Sequence, residues 1–300
     1  MENYRKYLDP RTLAKLQGLE LRARSIVEGY VTGAHKSPYH GFSVEFAEHR
    51  EYVPGDDLRY VDWKAFGKTD RIYLKQYEEE TNLVAYLLLD VSESMTYKSD
   101  DAAMSKLDYA RCIAAALTYM VLQQQDGVGL TTFDREVRAM VRPSSHPTHL
   151  KQMLHVMEAS ASAAKTSLGP IFHDLAERFK KRGVVIILSD LFDDVNSLLA
   201  GLKHFRHRRH EVILFHILDP AELDFPFRNM TLFKGLEALP ELLVDPPGLR
   251  QAYLAEFEAF LKSVRQGCHA RNIDYLQLRT DQPLDIALSR FLAARMNRVK

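Results

Sequence analysis

The sequence lacks an excess of charge of either sign, is poor in cysteine and contains no long apolar run. Its 300 residues hold 40 Lys and Arg against 40 Asp and Glu. Binding to a nucleic-acid backbone depends on excess basic side chains, so this balance excludes nucleic-acid binding by bulk charge. The two cysteines, Cys112 and Cys268, cannot build a disulfide framework and fit a reducing compartment.

The apolar runs are too short to cross a membrane. The longest ones, 83–89 and 184–188, are far below the roughly 20 residues that a membrane-spanning helix needs. Apolar residues nevertheless make up 46% of the chain, which is typical of a globular protein. We therefore expect a soluble, cytoplasmic protein without a membrane span.

From residue 82 onward, strand-like and helix-like segments alternate. Continuous apolar runs, such as Leu83–Leu89 before Asp90, are typical of strands buried on both faces of a parallel sheet. Further strands are predicted at 183–189, 211–218 and 273–278, a hairpin at 127–141, and helices at 107–124, 150–158, 169–182, 195–208, 249–268 and 284–296. This alternation predicts an α/β fold with a mostly parallel sheet and helices on both faces. Residues 219–246 show no regular pattern.

The first 81 residues have a different character. The spacing of leucines predicts one amphipathic helix over Thr12–Val27. Residues 40–80 combine aromatic and charged side chains, and the alternation at Tyr73–Tyr77 predicts a strand. We therefore expect a helical N-terminal segment, residues 1–81, that packs on a main domain formed by residues 82–300.

Candidate ligands for a metal ion follow the two most apolar strands. Asp90 and Asp190 come at the carboxyl ends of these strands, where ligands bind in open α/β sheets. Ser92 and Ser94 alternate with Asp90 on an extended loop, so all three can present oxygen atoms to one point. Thr166 lies in a loop just before a predicted helix.

Such a set of carboxylates and hydroxyls predicts a hard cation, Mg²⁺ or Mn²⁺, whereas Zn²⁺ would prefer His or Cys. Two carboxylates neutralise a divalent ion. If one of them binds only through water, the ion keeps attraction for an acidic side chain of a partner. The alternative is that Asp90, Ser92 and Ser94 only cap a turn and the following helix.

This set of residues resembles the metal-ion-dependent adhesion site of von Willebrand factor A-type domains. In that family, an Asp-x-Ser-x-Ser loop, a Thr and a later Asp chelate the ion. The corresponding residues of this sequence are Asp90, Ser92, Ser94, Thr166 and Asp190. The loop around Thr166 reads Ala-Lys-Thr where the family often has Gly-Gly-Thr. The resemblance implies a von Willebrand factor A-like, Rossmann-like fold and a metal-dependent protein interaction.

A second resemblance covers about residues 25–297. The block from Gly41 to Trp63, with its Pro54-Gly55 turn, and the segment from Asn272 to Asp281 resemble a bacterial "domain of unknown function" family, number fifty-eight. Genes of that family commonly neighbour MoxR-type AAA+ ATPases, which implies such an ATPase as a partner.

Three residues of the N-terminal block are candidates for docking a partner: Asp57, Arg59 and Trp63. Trp63 offers a large amphipathic anchor. The alternative is that this block brackets the main domain through ion pairs and aromatic packing, because dense acid–base pairing is usually structural.

The sequence thus predicts a metal-dependent interaction module without enzymatic activity, working beside the ATPase on a client that offers an acidic side chain. It contains no Gly-rich phosphate loop, so we expect ATP hydrolysis to belong to the partner. One alternative is a haloacid-dehalogenase-like phosphatase, with Asp90 as nucleophile, Thr166 as phosphate ligand and Asp190 or Asp194 as Mg²⁺ ligand. That chemistry normally needs a second acid two residues after the nucleophile, where this chain has Ser92. A metal-free scaffold is the third possibility.

Overall fold

The structure, a computed structural model, describes residues 9–34, 49–51, 73–75, 84–160, 168–234, 241–285 and 288–289. The chain divides into two compact units, one formed by residues 1–33 with 83–300 and the other by residues 34–82. In the second unit, His49–Glu51 pairs antiparallel with Tyr73–Lys75. The division predicted from the sequence, at residue 82 with the N-terminal segment packed on the main domain, stays a prediction.

The described elements follow one another along the chain as two helices, an antiparallel pair of short strands, and then alternating strands and helices. They are α1 (Pro10–Leu13), α2 (Leu19–Ala34), β1 (His49–Glu51), β2 (Tyr73–Lys75), β3 (Val84–Asp90), a 3-10 turn (Ser94–Thr96), α3 (Lys106–Gln123), β4 (Gly127–Phe133), β5 (Val137–Ser144), α4 (His149–Ala159), α5 (Leu168–Arg178), β6 (Val184–Ser189), α6 (Val195–His207), β7 (Glu211–Leu218), α7 (Pro220–Asp224), β8 (Thr231–Phe233), β9 (Leu242–Val244), α8 (Pro246–His269) and β10 (Asp274–Arg279).

A six-stranded sheet forms the centre of the larger unit, in the order β10-β7-β6-β3-β4-β5. From β10 to β4 every neighbouring pair is parallel, and β5 pairs antiparallel with β4 at the edge. The predicted α/β fold with a mostly parallel sheet is confirmed. The chain order of the strands reverses between β3 and β6, and such a reversal opens a crevice at the carboxyl ends of the two strands.

Both faces of the sheet are covered, which explains why its central strands are apolar throughout. Leu87 and Leu89 of β3 belong to a core on one face, together with residues of α2, α3 and α4. The alternate residues, Tyr86 and Leu88, belong to a second core with α5, α6 and α8. Successive side chains of a strand point to opposite faces, so a strand between two cores must be apolar at every position. None of the described helices is both long and apolar enough to cross a membrane.

Two sequence expectations differ from the structure. The prediction of a single helix over Thr12–Val27 is wrong, because a non-helical segment separates α1 from α2. This segment ends at Gly18, whose φ of 83° is a conformation that glycine adopts without steric cost. Residues 219–246, without a regular pattern in the sequence, contain α7 and the β8–β9 pair. Most of the predicted closing helix, 284–296, lies outside the described residues.

Gly183, just before β6, lets β6 approach β3 closely. A Cβ atom there would lie 2.1 Å from the backbone oxygen of Val84 and 3.0 Å from the ring of Tyr86. We expect Gly183→Ala to lower the free energy of unfolding by about 1–3 kcal/mol, because the two strands must shift apart. Chemical denaturation measures the loss.

Gly248→Ala is the matched control for Gly183→Ala. Gly248 lies in α8, where an added Cβ would meet its nearest atom at 3.9 Å. The same substitution should stabilise the protein there by about 0.5–1 kcal/mol, since alanine favours a helix over glycine. Equal effects at the two glycines would contradict the steric explanation.

Candidate metal centre

The two predicted carboxylates lie side by side at the carboxyl edge of the sheet. Asp90 is the last residue of β3, and Asp190 directly follows the last residue of β6, Ser189. Because β3 and β6 are parallel and Leu89 is in register with Leu188, Asp90 comes opposite Ser189. The Ser189 hydroxyl donates a hydrogen bond of 2.5 Å to Oδ2 of Asp90, which fixes the orientation of this carboxylate.

The loop after β3 turns its two serine hydroxyls toward each other. The Ser92 backbone N–H donates to Oδ1 of Asp90 at 2.9 Å, closing a tight turn. Oγ of Ser92 and Oγ of Ser94 are 3.1 Å apart, and both side chains are buried. Thus the structure brings Asp90, Ser92 and Ser94 together, as the alternation along the loop predicts.

The electrostatic environment of Asp90 favours an added positive charge. Burial raises the pKa of Asp90 to about 7, and the negative charge of Asp190 acts in the same direction. The hydrogen bonds from Ser189 and Ser92 oppose this shift without cancelling it. Two carboxylates buried at one place repel each other, so a cation beside them would relieve that repulsion.

A buried lysine, Lys106, contacts one carboxylate of this pair, Asp190, and a third carboxylate, Glu222. Its Nζ lies 2.8 Å from Oδ2 of Asp190 and 2.5 Å from Oε1 of Glu222. The Phe192 ring lies over the same ammonium group, with its centroid at 4.8 Å. Burial disfavours the charged form of Lys106, but Asp190 and Glu222 outweigh burial and hold the pKa of Lys106 above its ordinary value. The site therefore contains one ammonium group that is paired with two carboxylates.

His216 fixes the backbone at Asp190. Its Nε2 lies 2.8 Å from the Asp190 carbonyl oxygen, and its Nδ1 lies 2.8 Å from the Tyr275 hydroxyl. Burial lowers the pKa of His216 to about 4, so the ring is neutral at neutral pH. A carbonyl oxygen only accepts, so Nε2 carries the proton and Nδ1 accepts from Tyr275. The hydrogen bonds from Tyr275 on β10 to His216 on β7, and from His216 to the Asp190 carbonyl, hold Asp190 in position.

The other predicted residues lie outside the described part of the chain. Thr166 falls in the gap 161–167, and Asp57, Arg59 and Trp63 fall in the gap 52–72. Their predicted roles stay predictions.

Three residues of this cluster were missed by the sequence analysis: Lys106, Ser189 and Glu222. A lysine just before a predicted helix is usually solvent-exposed, and Glu222 lies in a segment without a regular pattern. Ser189 directly precedes Asp190. The position at the end of an apolar strand, which identifies Asp190 as a candidate, could therefore also have identified Ser189.

The side chains present fit a hard divalent cation. Among the described residues, no group of three or more His, Cys, Asp or Glu side chains is placed to hold a metal, so a site at Asp90 would need other oxygen ligands, and the hydroxyls of Ser92 and Ser94 are the nearest side-chain candidates in sequence. Such oxygen ligands suit Mg²⁺ and Mn²⁺. When ionised, the buried carboxylates of Asp90, Asp190 and Glu222 against the ammonium of Lys106 leave a net charge of about −2, which a divalent cation neutralises.

The family comparison agrees with the resemblance seen in the sequence. The family described as "Protein of unknown function DUF58" matches residues 48–260, more than half of the chain. This chain belongs to the DUF58 family. The matched range of this DUF58 protein includes the whole cluster around Asp90, Lys106 and Glu222.

Relatives of this DUF58 protein occur in mycobacteria. It is 26% identical over 292 residues to the uncharacterized protein Rv1480 of Mycobacterium tuberculosis, covering 96% of this chain and 90% of that protein. The values are the same for the uncharacterized protein Mb1516 of Mycobacterium bovis.

Solved structures similar to this DUF58 protein include a conserved hypothetical protein, BatB, from Bacteroides thetaiotaomicron. That structure is 13% identical with a TM-score of 0.48, and the similarity covers 72% of this chain and 99% of that one. The VWA domain of SpRpn10 is 13% identical with a TM-score of 0.40, over 69% of this chain and 94% of that one.

Proposed function

We propose that this DUF58 protein is a metal-dependent protein-interaction module. The ion would be Mg²⁺ or Mn²⁺, held by Asp90, Ser92, Ser94 and Asp190, with Thr166 added from the resemblance. The observation that carries the proposal is the pair of serine hydroxyls, 3.1 Å apart, beside a buried carboxylate whose pKa is raised to about 7. These groups lie where the strand order reverses, which is the usual ligand position of such sheets.

The bound ion would supply positive charge that attracts a carboxylate of the partner. Ser92 and Ser94 are neutral ligands, so they do not cancel that charge. Asp190 is already bonded to Lys106, which leaves less of its negative charge for the ion. An Asp or Glu side chain of a partner is therefore the group that would complete the site.

The surroundings of the site favour an acidic partner segment with an apolar neighbour. Phe192, two residues after Asp190, is 38% exposed. Its ring lies 6.2 Å from that of the buried Phe257 and 6.1 Å from that of the partly buried Phe260, so Phe192 is an exposed aromatic side chain next to the charged cluster. Aromatic side chains at the edge of a charged pocket commonly anchor an interface.

By resemblance, the working partner would be a MoxR-type AAA+ ATPase, and the client would be a complex that this pair assembles or matures. We propose that the chain itself catalyses no reaction and that it works in the cytoplasm. Its two cysteines, both free and buried, fit a reducing compartment.

Thermal unfolding in a Mg²⁺ and a Mn²⁺ titration tests the metal site. An ion at a hundred times its dissociation constant stabilises the folded state by about 2.7 kcal/mol, so the wild-type midpoint should rise by several degrees. Ser94→Ala removes one hydroxyl ligand and should lose most of this rise. The exposed Ser145 offers the matched control, because Ser145→Ala leaves the site intact and should respond like wild type.

Partner binding provides the second measurement. A purified MoxR-type ATPase, or its client, should bind the wild-type protein with Mg²⁺ and lose binding with a chelator or with Ser94→Ala. Binding that is equal in all three conditions, with no metal-dependent rise in the unfolding midpoint, would contradict the proposal and favour a metal-free scaffold.

A further inference from the structure

We infer that Lys106 is a built-in cation that limits the affinity of this site for a divalent metal. This inference rests on the proposed function and concerns the regulation of the same site. Lys106 is not one of the residues that the motif supplies. It begins α3 and reaches the cluster from a part of the chain 84 residues away from Asp190.

Lys106 is bound more firmly than a surface lysine. Its side chain is fully buried, and the two carboxylates at its Nζ, Asp190 and Glu222, are 2% and 14% exposed. Rings lie near the ammonium group as well, that of Phe192 at 4.8 Å and that of Tyr97 at 5.9 Å. A lysine enclosed in this way cannot move aside into solvent when an ion arrives.

Glu222, one of the two carboxylates that hold Lys106, is itself fixed by hydrogen bonds. Oε2 of Glu222 accepts from the Asp219 backbone N–H at 2.8 Å, as part of the cap of α7. Oδ2 of Asp219 accepts from the Ser99 backbone N–H at 3.1 Å, which ties the segment before α3 to α7. Lys106 therefore joins the carboxyl ends of β3, β6 and β7 through a single network.

The charges of this network are unequal. In a buried ion pair with one charge of each sign, the two charges cancel and have little effect on an incoming ion. Here the single ammonium of Lys106 faces two carboxylates directly and a third, Asp90, through Asp190. Lys106 stabilises the acids when no metal is bound, and it competes with the metal for Asp190. The consequence is a site that is folded without metal and binds it weakly.

Removing the built-in cation should therefore strengthen metal binding. We expect Lys106→Met, which keeps the volume and loses the charge, to bind Mn²⁺ about tenfold or more tightly than wild type, because a unit charge close to a divalent ion is worth at least this factor. Glu222→Gln removes a negative charge instead and should bind more weakly than wild type. Titration of Mn²⁺ followed by electron paramagnetic resonance measures both.

A second comparison applies if Lys106→Met does not fold, because that variant leaves three buried carboxylates without a positive charge. The double variant Lys106→Met with Glu222→Gln removes one charge of each sign. It should bind Mn²⁺ more tightly than Glu222→Gln alone, since the two differ only in Lys106. The exposed Lys203 on α6 supplies the control, because Lys203→Met should leave the affinity unchanged.

The outcomes separate this inference from the proposed function. If wild type binds Mn²⁺ and the Lys106 variants bind it equally well, the role of Lys106 is overturned and the metal site stands. If neither wild type nor any variant binds Mn²⁺, both are overturned. Binding by the Lys106 variants alone would support the role of Lys106 and show that the wild-type protein works without metal.

Discussion

Replacing Phe172 by alanine should lower the free energy of unfolding by about 3–5 kcal/mol, the usual range for truncating a buried aromatic side chain. Phe172 lies on α5 and is fully buried. Its ring contacts that of Phe133 edge-to-face at 5.7 Å and that of Phe205 at 5.9 Å. The substitution removes contacts to β4 and α6 at once and leaves a cavity that close-packed neighbours cannot fill.

Chemical denaturation of the Phe172 variants measures this loss. Phe172→Leu keeps most of the volume and should lose about 1.5 kcal/mol or less. Leu21 on α2 is 58% exposed, so Leu21→Ala should change stability by about 0.5 kcal/mol or less. A loss below about 1 kcal/mol for Phe172→Ala would mean that this core is not closely packed.

Replacing Asp190 by alanine should lower the free energy of unfolding by about 3 kcal/mol in the presence of a chelator. Breaking a buried ion pair from one side leaves the other charge without its partner and typically costs about 3–5 kcal/mol. We expect the lower end of that range for two reasons. Glu222 still contacts Lys106 at 2.5 Å, and the removal of Asp190 relieves the repulsion that, after burial, raises the pKa of Asp90.

Asp174→Ala is the matched control for Asp190→Ala. Asp174 forms an ion pair with Arg178 on α5, and both side chains are about half exposed. Solvent screens such a pair, so its loss should lower stability by about 1 kcal/mol or less. The chelator excludes any contribution of metal to the comparison. Similar losses at Asp174 and Asp190 would show that the Lys106–Asp190 contact adds no stability.

Much of the fold could be predicted from residue patterns because burial itself imposes them. A strand between two cores must be apolar at every position, and β3 and β6 were predicted on that ground alone. The predicted helices at 107–124 and 195–208 agree with α3 and α6 to within a residue. The prediction for 12–27 was wrong because apolar spacing does not indicate a single residue with positive φ, such as Gly18.

The candidate site could be predicted only in part. Asp90, Ser92 and Ser94 are near neighbours in sequence, so their common direction follows from the local backbone. The position of Asp190 beside Asp90 follows from the rule that parallel strands end at the same edge of a sheet. Neither argument extends to Lys106 or Glu222, which belong to no repeating pattern.

The sequence by itself determined the alternation of strands and helices, the burial of the central strands and the oxygen-bearing side chains at their ends, because each of these depends on local spacing. Only the tertiary structure decided which charge lies beside those side chains. Lys106 is 84 residues from Asp190 and 116 from Glu222 along the chain. The three residues are in contact because the segments that follow three parallel strands meet at the same edge of the sheet. A charge becomes buried or exposed according to its neighbours in space, and these are set when the sheet assembles.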